Sequence, residues 1–282
     1  MQVLSIQSAV SYGHVGNSAA VFPLQRLGHE VMPVSTVLFS NHTGYGAWRG
    51  PLLPPGDVAD VITGIEERGV LDQVDGVLSG YQGSADIADV ILDAVARVRA
   101  ANPRATYTCD PVMGNADSGC FVHPDIPPLL RERVVPAADI ITPNQFELGF
   151  LTGTEPQTLE EILTSTELAR KMGPRTVLVT SVHRSDRPDD TTEMLVVNDD
   201  GAWIVQTPRL PLKANGSGDV TSALFTAHLL ASDAPTALGR TAASVFALLE
   251  ETLRSGEREL RLVAAQDAFV DPPRSFEVVR IR

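Results

Sequence analysis

The stretch Val74–Ala100, VDGVLSGYQGSADIADVILDAVARVRA, holds the pattern on which the fold turns. Val74–Leu78 is a short apolar run that reads as a strand. SGYQGS, Ser79–Ser84, follows as a cluster of small polar residues that turn a chain. From Ile87 to Ala100 the apolar residues fall at positions 87, 91, 95 and 98, one face of a helix. Strand, polar turn and amphipathic helix make one βα unit.

The unit recurs. Val3–Ile6, Val31–Val37, Thr106–Cys109, Asp139–Ile141 and Thr176–Val179 are further strand-like runs, with helical patterns between several of them. This alternation predicts a three-layer α/β/α fold, a mostly parallel central sheet flanked by helices. Met194–Val197 and Trp203–Val205 flank NDDG, Asn198–Gly201, and predict an antiparallel hairpin added to the sheet. Beyond it the chain turns helical over Val220–Leu230 and Ala234–Thr252, with a further turn over Leu260–Ala264. Pro23, inside NSAAVFPLQRLG, predicts a kinked helix, because proline removes a helix hydrogen bond. RSDRPDDTT, Arg184–Thr192, reads as a charged surface loop. With no repeat, low-complexity tract or linker, residues 1–282 read as a single domain.

Composition narrows the function. Hydrophobic residues make up 43% and charged residues 20%, a globular balance. A formal charge of −13 argues against nucleic acid and an anionic membrane as partners. It also means that an anionic substrate must be met by local donors or a metal ion. Cys109 and Cys120 lack metal-ligand spacing and read as free thiols in a reducing compartment. MQVLSIQSAV carries no basic segment, and no apolar run reaches membrane-spanning length. A soluble cytoplasmic protein is the expectation.

In open parallel sheets ligands gather at the carboxyl ends of the strands. Those ends carry, in turn, Ser8, FSNHTGYG, SGYQGS, DPVMGNADSG and TPNQFELGFLTG, with NGSGD downstream of the hairpin. The last lies in KANGSGDVTSALFTAHLL, Lys213–Leu230. Gly216, Ser217 and Gly218 lack bulk, so their N–H groups can approach a ligand closely. A helix start favours phosphate oxygens there. Asp219 beside it can take a proton from a hydroxyl attacking that phosphate. The same residues also suit an ordinary turn with Asp219 as the N-cap.

Six segments together carry a family resemblance. QSAVSYGHVGNSAAVFPLQRLG, VLFSNHTGYGAWRG, VLSGYQGS, CDPVMGNADSGCFV, DIITPNQFELGFLTG and NGSGDVTSALF resemble, in order and spacing, the pyridoxal kinases of the ribokinase-like superfamily. The similarity runs from about Val3 to Asp267. It implies a ribokinase-like fold and transfer of the γ-phosphoryl group of ATP to the hydroxymethyl group of pyridoxal. Pyridoxine and pyridoxamine are further acceptors, and the product serves vitamin B6 salvage. On this resemblance Asp219 is the catalytic base, and Gly216, Ser217 and Gly218 present N–H groups to the moving phosphoryl group. Asp110 and Glu147 place Mg2+ and its waters. Thr142, Thr180, Thr207, Pro208, Arg209 and Leu210 lie on the ATP side. Ser8, Thr43, Gly44 and Tyr81 receive the vitamin ring, with Asp219 at its hydroxyl and Val10 and His42 lining the same cavity. A monovalent cation such as K+ and a homodimer are implied as well.

Each of these residues also has a plain reading: Asp110 as an Asp-Pro turn, Glu147 as a solvated helix face, Tyr81 as a half-buried tyrosine. Ser217 stands where the family usually has Thr or Val, which leaves the backbone donors untouched. Asn215 replaces a less polar residue. Thr180 stands where relatives often carry a lysine, which leaves Lys213 or Arg209 to supply a phosphate-contacting cation. His14 receives no catalytic part, and Cys120 reads as a buried thiol or as one that adds to the aldehyde. Two other functions compete: a hydroxymethylpyrimidine or sugar kinase of the same fold, and a carrier that binds pyridoxal phosphate without turnover. A nucleotide-binding oxidoreductase is disfavoured, since YGHVGN is not G-x-G-x-x-G and no acid ends the second strand.

Overall fold

The computed structural model describes residues 1–282, and a nine-stranded sheet runs through its centre. Its strands are β1 (Gln2–Tyr12), β2 (Glu30–Asn41), β3 (Gly76–Ser79), β4 (Thr106–Cys109), β5 (Ile140–Ile141), β6 (Thr176–Val182), β7 (Thr191–Asn198), β8 (Gly201–Pro208) and β9 (Val278–Arg280). Their spatial order is β9-β8-β7-β6-β5-β4-β3-β1-β2. From β2 through β6 every pairing is parallel. The β7–β8 hairpin joins in antiparallel register through β7, as its turn residues predict, so β8 again points the way of the parallel block. The carboxyl ends of β1 to β6 and of β8 therefore share one rim.

Seven longer helices cover the two faces: α1 (Asn17–Arg26), α2 (Pro55–Glu66), α3 (Ile87–Ala101), α4 (Gln145–Thr152), α5 (Leu159–Arg170), α6 (Ser217–Ala231) and α7 (Ala234–Ser255). Alternation along the strands decides which face each side chain joins. Leu4, Val77, Ile141 and Val177 enter one core with Ile62 of α2, Ile91 of α3, Leu148 of α4 and Ile162 of α5. Val3 and Leu78 pack on α1 and α6, and Ile140 and Leu178 on α6 and α7. Helices on both faces make the short parallel strands largely apolar or β-branched, and all four residues of β3 are buried. The expected three-layer architecture is present.

Local chemistry sets the helix ends. The α3 face is buried at Ile87, Ile91, Val95 and Val98, as the periodicity predicts. Asn144 and Glu147 form a reciprocal capping box at the start of α4, and Gly153, in the left-handed region, ends that helix. α1 continues through Pro23 for three more residues. Leu260–Ala264 forms no helix; a short one follows at Gln266–Val270. β1 and β2 are far longer than their apolar cores. Beyond Ile6, β1 has no partner in β3 and pairs only with β2. This two-stranded ribbon overhangs the rim and is partly solvated, so its residues lose the continuous apolar signature. Ser8 and the start of FSNHTGYG thus lie within strands.

Candidate active site

The start of α6 stands at the rim. Its N-cap is Gly216, with φ 87°, and Ser217, Gly218 and Asp219 form the first turn. Asp219 is therefore not the cap. Gly216 is required twice over: the left-handed backbone favours glycine, and a Cβ there would lie 1.8 Å from the His14 carbonyl oxygen. The first intrahelical bond runs from Val220 N–H to Gly216 O at 3.0 Å, which leaves the N–H groups of Ser217 and Gly218 free to face a ligand, while the Asp219 N–H turns to its own carboxylate. The Asp219 carboxylate accepts the Gly16 N–H and keeps part of its surface in solvent. Enclosure by the protein nevertheless pushes its carboxyl up to about 6.

One turn further along α6, on the same face, lies Ser222. Its hydroxyl donates to Asp110 Oδ2 at 2.9 Å and meets Thr142 Oγ1 at 2.7 Å. Helix α6 thereby ties together Asp110 after β4 and Thr142 after β5. Asp110 is buried, and its carboxyl is raised well above the usual range by burial first and then by the charges of Glu147 and Asp219; the Ser222 hydroxyl opposes the rise. Thr142 is equally buried, so its hydroxyl serves this internal link.

Glu147 is not on a solvated face. It is buried, and it accepts the N–H groups of Met113 at 2.9 Å, Gly114 at 3.3 Å and Asn144 at 2.9 Å. These bonds pin the DPVMG loop to α4. Burial pushes Glu147 up to about 7 despite those donors, and the Asp219 charge adds to the rise. Three carboxyls raised by burial, with the charge of Asp219 acting on Glu147 and both charges acting on Asp110, form a site that a cation would relieve. No group of three or more His, Cys, Asp or Glu side chains is placed to enclose a metal ion. The set fits a magnesium-type ion ligated mainly by phosphate and water, with Asp110 in direct reach. Glu147, with both oxygens engaged by backbone donors, fits contact through water.

On the other side of α6 lie the β1–β2 ribbon and its loops. Ser8 is buried in β1, and Thr43–Tyr45 makes a single 3₁₀ turn after β2. Gly44 borders the helix start: a Cβ on it would come within 3.3 Å of Asn215 Nδ2. Gly44 thus lies against the segment that leads into α6, and Ser8 lies against Gly16, where a Cβ would meet its Oγ at 2.3 Å. Tyr81 lines a groove of about 470 Å³ with Phe39, Trp48, Leu52 and Phe121. His42 is buried with its Nε2 3.0 Å from Glu259 Oε1, while its Nδ1 has no hydrogen-bond partner.

The residues expected at ATP sit at the ends of β6 and β8. Thr180 is buried in β6, and its N–H donates to Pro143 O at 2.9 Å. Thr207 and Pro208 end β8, followed by Arg209 and Leu210 on the same rim. The Arg209 N–H bonds Asp190 O at 2.7 Å. Lys213 pairs with Asp117 at 2.8 Å, an exposed contact between two loops over the rim. Asp117 and Cys120 belong to a small hairpin at Gly114–Asn115 and Gly119–Cys120. Cys120 is exposed, not buried, because that hairpin projects from the rim; Cys109 is buried, and both are free.

Known proteins share this fold over the whole chain. The chain is 70% identical over 282 residues, all of both chains, to pyridoxal kinase PdxY of Leifsonia xyli subsp. xyli, and 60% identical to that of Corynebacterium diphtheriae. The chain belongs to the pyridoxal kinase family. Its fold matches the pyridoxal kinase of Leishmania donovani, solved with ADP and pyridoxamine, with a TM-score of 0.94 at 28% identity, covering 100% of this chain and 99% of that one. The phosphomethylpyrimidine kinase family profile matches residues 68–261. That segment contains Tyr81, Asp110, Glu147 and Asp219. Ser222 is the site residue the sequence reading missed; its only signal is its spacing of three from Asp219.

Proposed function

We propose that this chain transfers the γ-phosphoryl group of ATP to the 5′-hydroxymethyl group of pyridoxal, giving pyridoxal 5′-phosphate and ADP. One observation carries the reading: a carboxylate in the first turn of α6, beside free N–H groups, linked through Ser222 to a second buried carboxylate. Phosphoryl transfer asks chiefly for positioning and for dispersal of charge. In the proposed step the acceptor oxygen bonds to the γ-phosphorus as the bond to the bridging oxygen of ADP breaks. Asp219 takes the hydroxyl proton, and its elevated carboxyl is well matched to accept and later release it near neutrality. The N–H groups of Ser217 and Gly218 face the oxygens where charge develops.

Asp110, with Glu147 acting through water, would hold Mg2+, which supplies charge neutralisation on the phosphates. Thr142 holds Ser222 and so Asp110, while Thr180, Thr207, Pro208, Arg209 and Leu210 border the nucleotide. Ser8, Thr43 and Gly44 meet the ring, and Tyr81 lines the adjoining groove. K+ as a monovalent activator, a homodimer and a cytoplasmic location rest on the family resemblance. No helix is long and apolar enough to cross a membrane.

The phosphomethylpyrimidine kinase profile favours one second reading, phosphorylation of a hydroxymethylpyrimidine at the same site. Incubation of the protein with Mg-ATP and each alcohol in turn, with ADP release and the phosphorylated product measured together, tests both. The expected result is a higher kcat/KM for pyridoxal than for the pyrimidine. The reverse order would replace the proposal with the second reading, and binding of pyridoxal without ADP release would replace both with a carrier.

A further inference from the structure

Glu259 lies outside every motif described above, in the segment that follows α7. Its side chain is only 12% exposed and is surrounded by donors from two different rim loops. Oε1 accepts the Tyr45 hydroxyl at 2.6 Å and faces His42 Nε2 at 3.0 Å, both from the turn after β2. Oε2 accepts the His14 N–H at 3.2 Å, from the loop after β1. Burial raises the carboxyl, but the Tyr45 and His42 hydrogen bonds outweigh it and hold Glu259 below its ordinary value. It is a carboxylate with both oxygens engaged.

The neighbouring residues are arranged around this contact. Arg258 donates to Gly44 O at 2.6 Å, and its guanidinium lies 3.8 Å from the centre of the Tyr45 ring. Gly13, at φ 88°, has no side chain where one would collide with Glu259: a Cβ there would lie 2.2 Å from Oε2. The loop so gripped touches the chemistry at two points. The His14 carbonyl abuts Gly216, and the Gly16 N–H reaches Asp219.

We propose that Glu259 is a positioning residue that clamps the two acceptor-side loops, 13–16 and 42–46, against the start of α6. It thereby fixes the distance between the bound vitamin's hydroxyl and Asp219 without touching either substrate. The inference rests on the proposed pyridoxal phosphorylation. The nucleotide side, on β6 and β8, shares no contact with Glu259, so the clamp acts on one substrate alone.

The test compares Glu259→Gln, Tyr45→Phe, their double variant and the exposed neighbour Glu257→Gln with the parent protein. Gln keeps the shape but offers one acceptor oxygen where the carboxylate offers two, and meets the His14 N–H with its own N–H₂. Glu259→Gln is expected to raise the KM for pyridoxal about tenfold, the loss of one charge-assisted bond, and to leave the KM for ATP within about twofold. The double variant should fall short of the sum of the singles, because Tyr45→Phe removes a bond that Glu259→Gln has already weakened by taking away the charge. Glu257→Gln should match the parent. Hydrogen exchange in the same proteins reads the clamp without turnover: segments 13–16 and 42–46 should lose protection in Glu259→Gln while α6 keeps it. Parallel rises in both KM values, or unchanged exchange in those loops, would overturn the clamp. Failure of the parent to phosphorylate pyridoxal, with the exchange change present, would instead overturn the proposed reaction and confine Glu259 to loop positioning.

Discussion

Asp219→Asn should make the protein more stable while disabling it. In the folded chain the Asp219 carboxyl is pushed up to about 6, against an ordinary value of 3.8. Between those values the folded form holds a proton that the unfolded chain has lost. Stability from this group therefore falls as pH rises through the window, and the whole loss is present above about pH 6. The gap is equivalent to ~3 kcal/mol at pH 7, and residual solvation and relaxation reduce this to ~1–2 kcal/mol. Asparagine cannot ionise, yet its side-chain oxygen still accepts the Gly16 N–H. The variant is expected to melt ~2–6 °C higher at pH 7 in the absence of nucleotide and divalent ion, and the advantage should vanish near pH 4. Calorimetry of both proteins from pH 4 to pH 8 measures it. A variant that melts lower at pH 7, or an advantage that does not change with pH, would refute the reasoning that a crowded carboxylate is stored at this position.

Ser222→Ala leaves Asp110 Oδ2 and the Thr142 hydroxyl unpartnered, a loss of ~1–3 kcal/mol in the positioning of the metal side. Steady-state kinetics should show kcat lower by about 10- to 100-fold with the pyridoxal KM little changed. Gly216→Ala forces a side chain against the His14 carbonyl and onto a left-handed backbone, so the N–H groups of Ser217 and Gly218 must turn away; kcat/KM should drop by roughly 100-fold or more, and the melting temperature should fall with it. Because Asp219 acts in its ionised form, kcat/KM for pyridoxal should decline as pH falls below about 6, and a rate that stays level down to pH 5 would remove it as the proton acceptor.

The parallel core was legible because strands covered on both faces are largely apolar or β-branched, and Thr106–Cys109 is predicted and observed with the same ends. The β1–β2 ribbon was not, because past Ile6 it is covered by no third strand and its residues alternate with solvent. Asp219 and the small residues before it were legible as a helix start, yet the capping position belongs to Gly216, whose need for glycine comes from His14, about two hundred residues away in sequence. Glu147 looked like a surface acid because its three backbone donors come from a loop more than thirty residues earlier and from its own cap. Ser222 carried no local signal beyond its spacing from Asp219, and Glu259 carried none; a serine inside a helix and a glutamate in a charged tail gain their roles only through contacts across the fold. Tyr81 was grouped with Ser8 and Thr43 on resemblance, and the groove it lines with Phe39 and Trp48 could be found only by folding the chain.

The central claim is that the carboxylate in the first turn of α6 takes the proton of an alcohol attacking a phosphate held by the same turn. Single-turnover phosphorylation of pyridoxal by Asp219→Asn, at saturating Mg-ATP and with binding of both substrates measured alongside, tests it most directly. The account predicts a rate lower by about 10²–10⁴-fold with both substrates still bound. A rate within a few-fold of the parent's would contradict it.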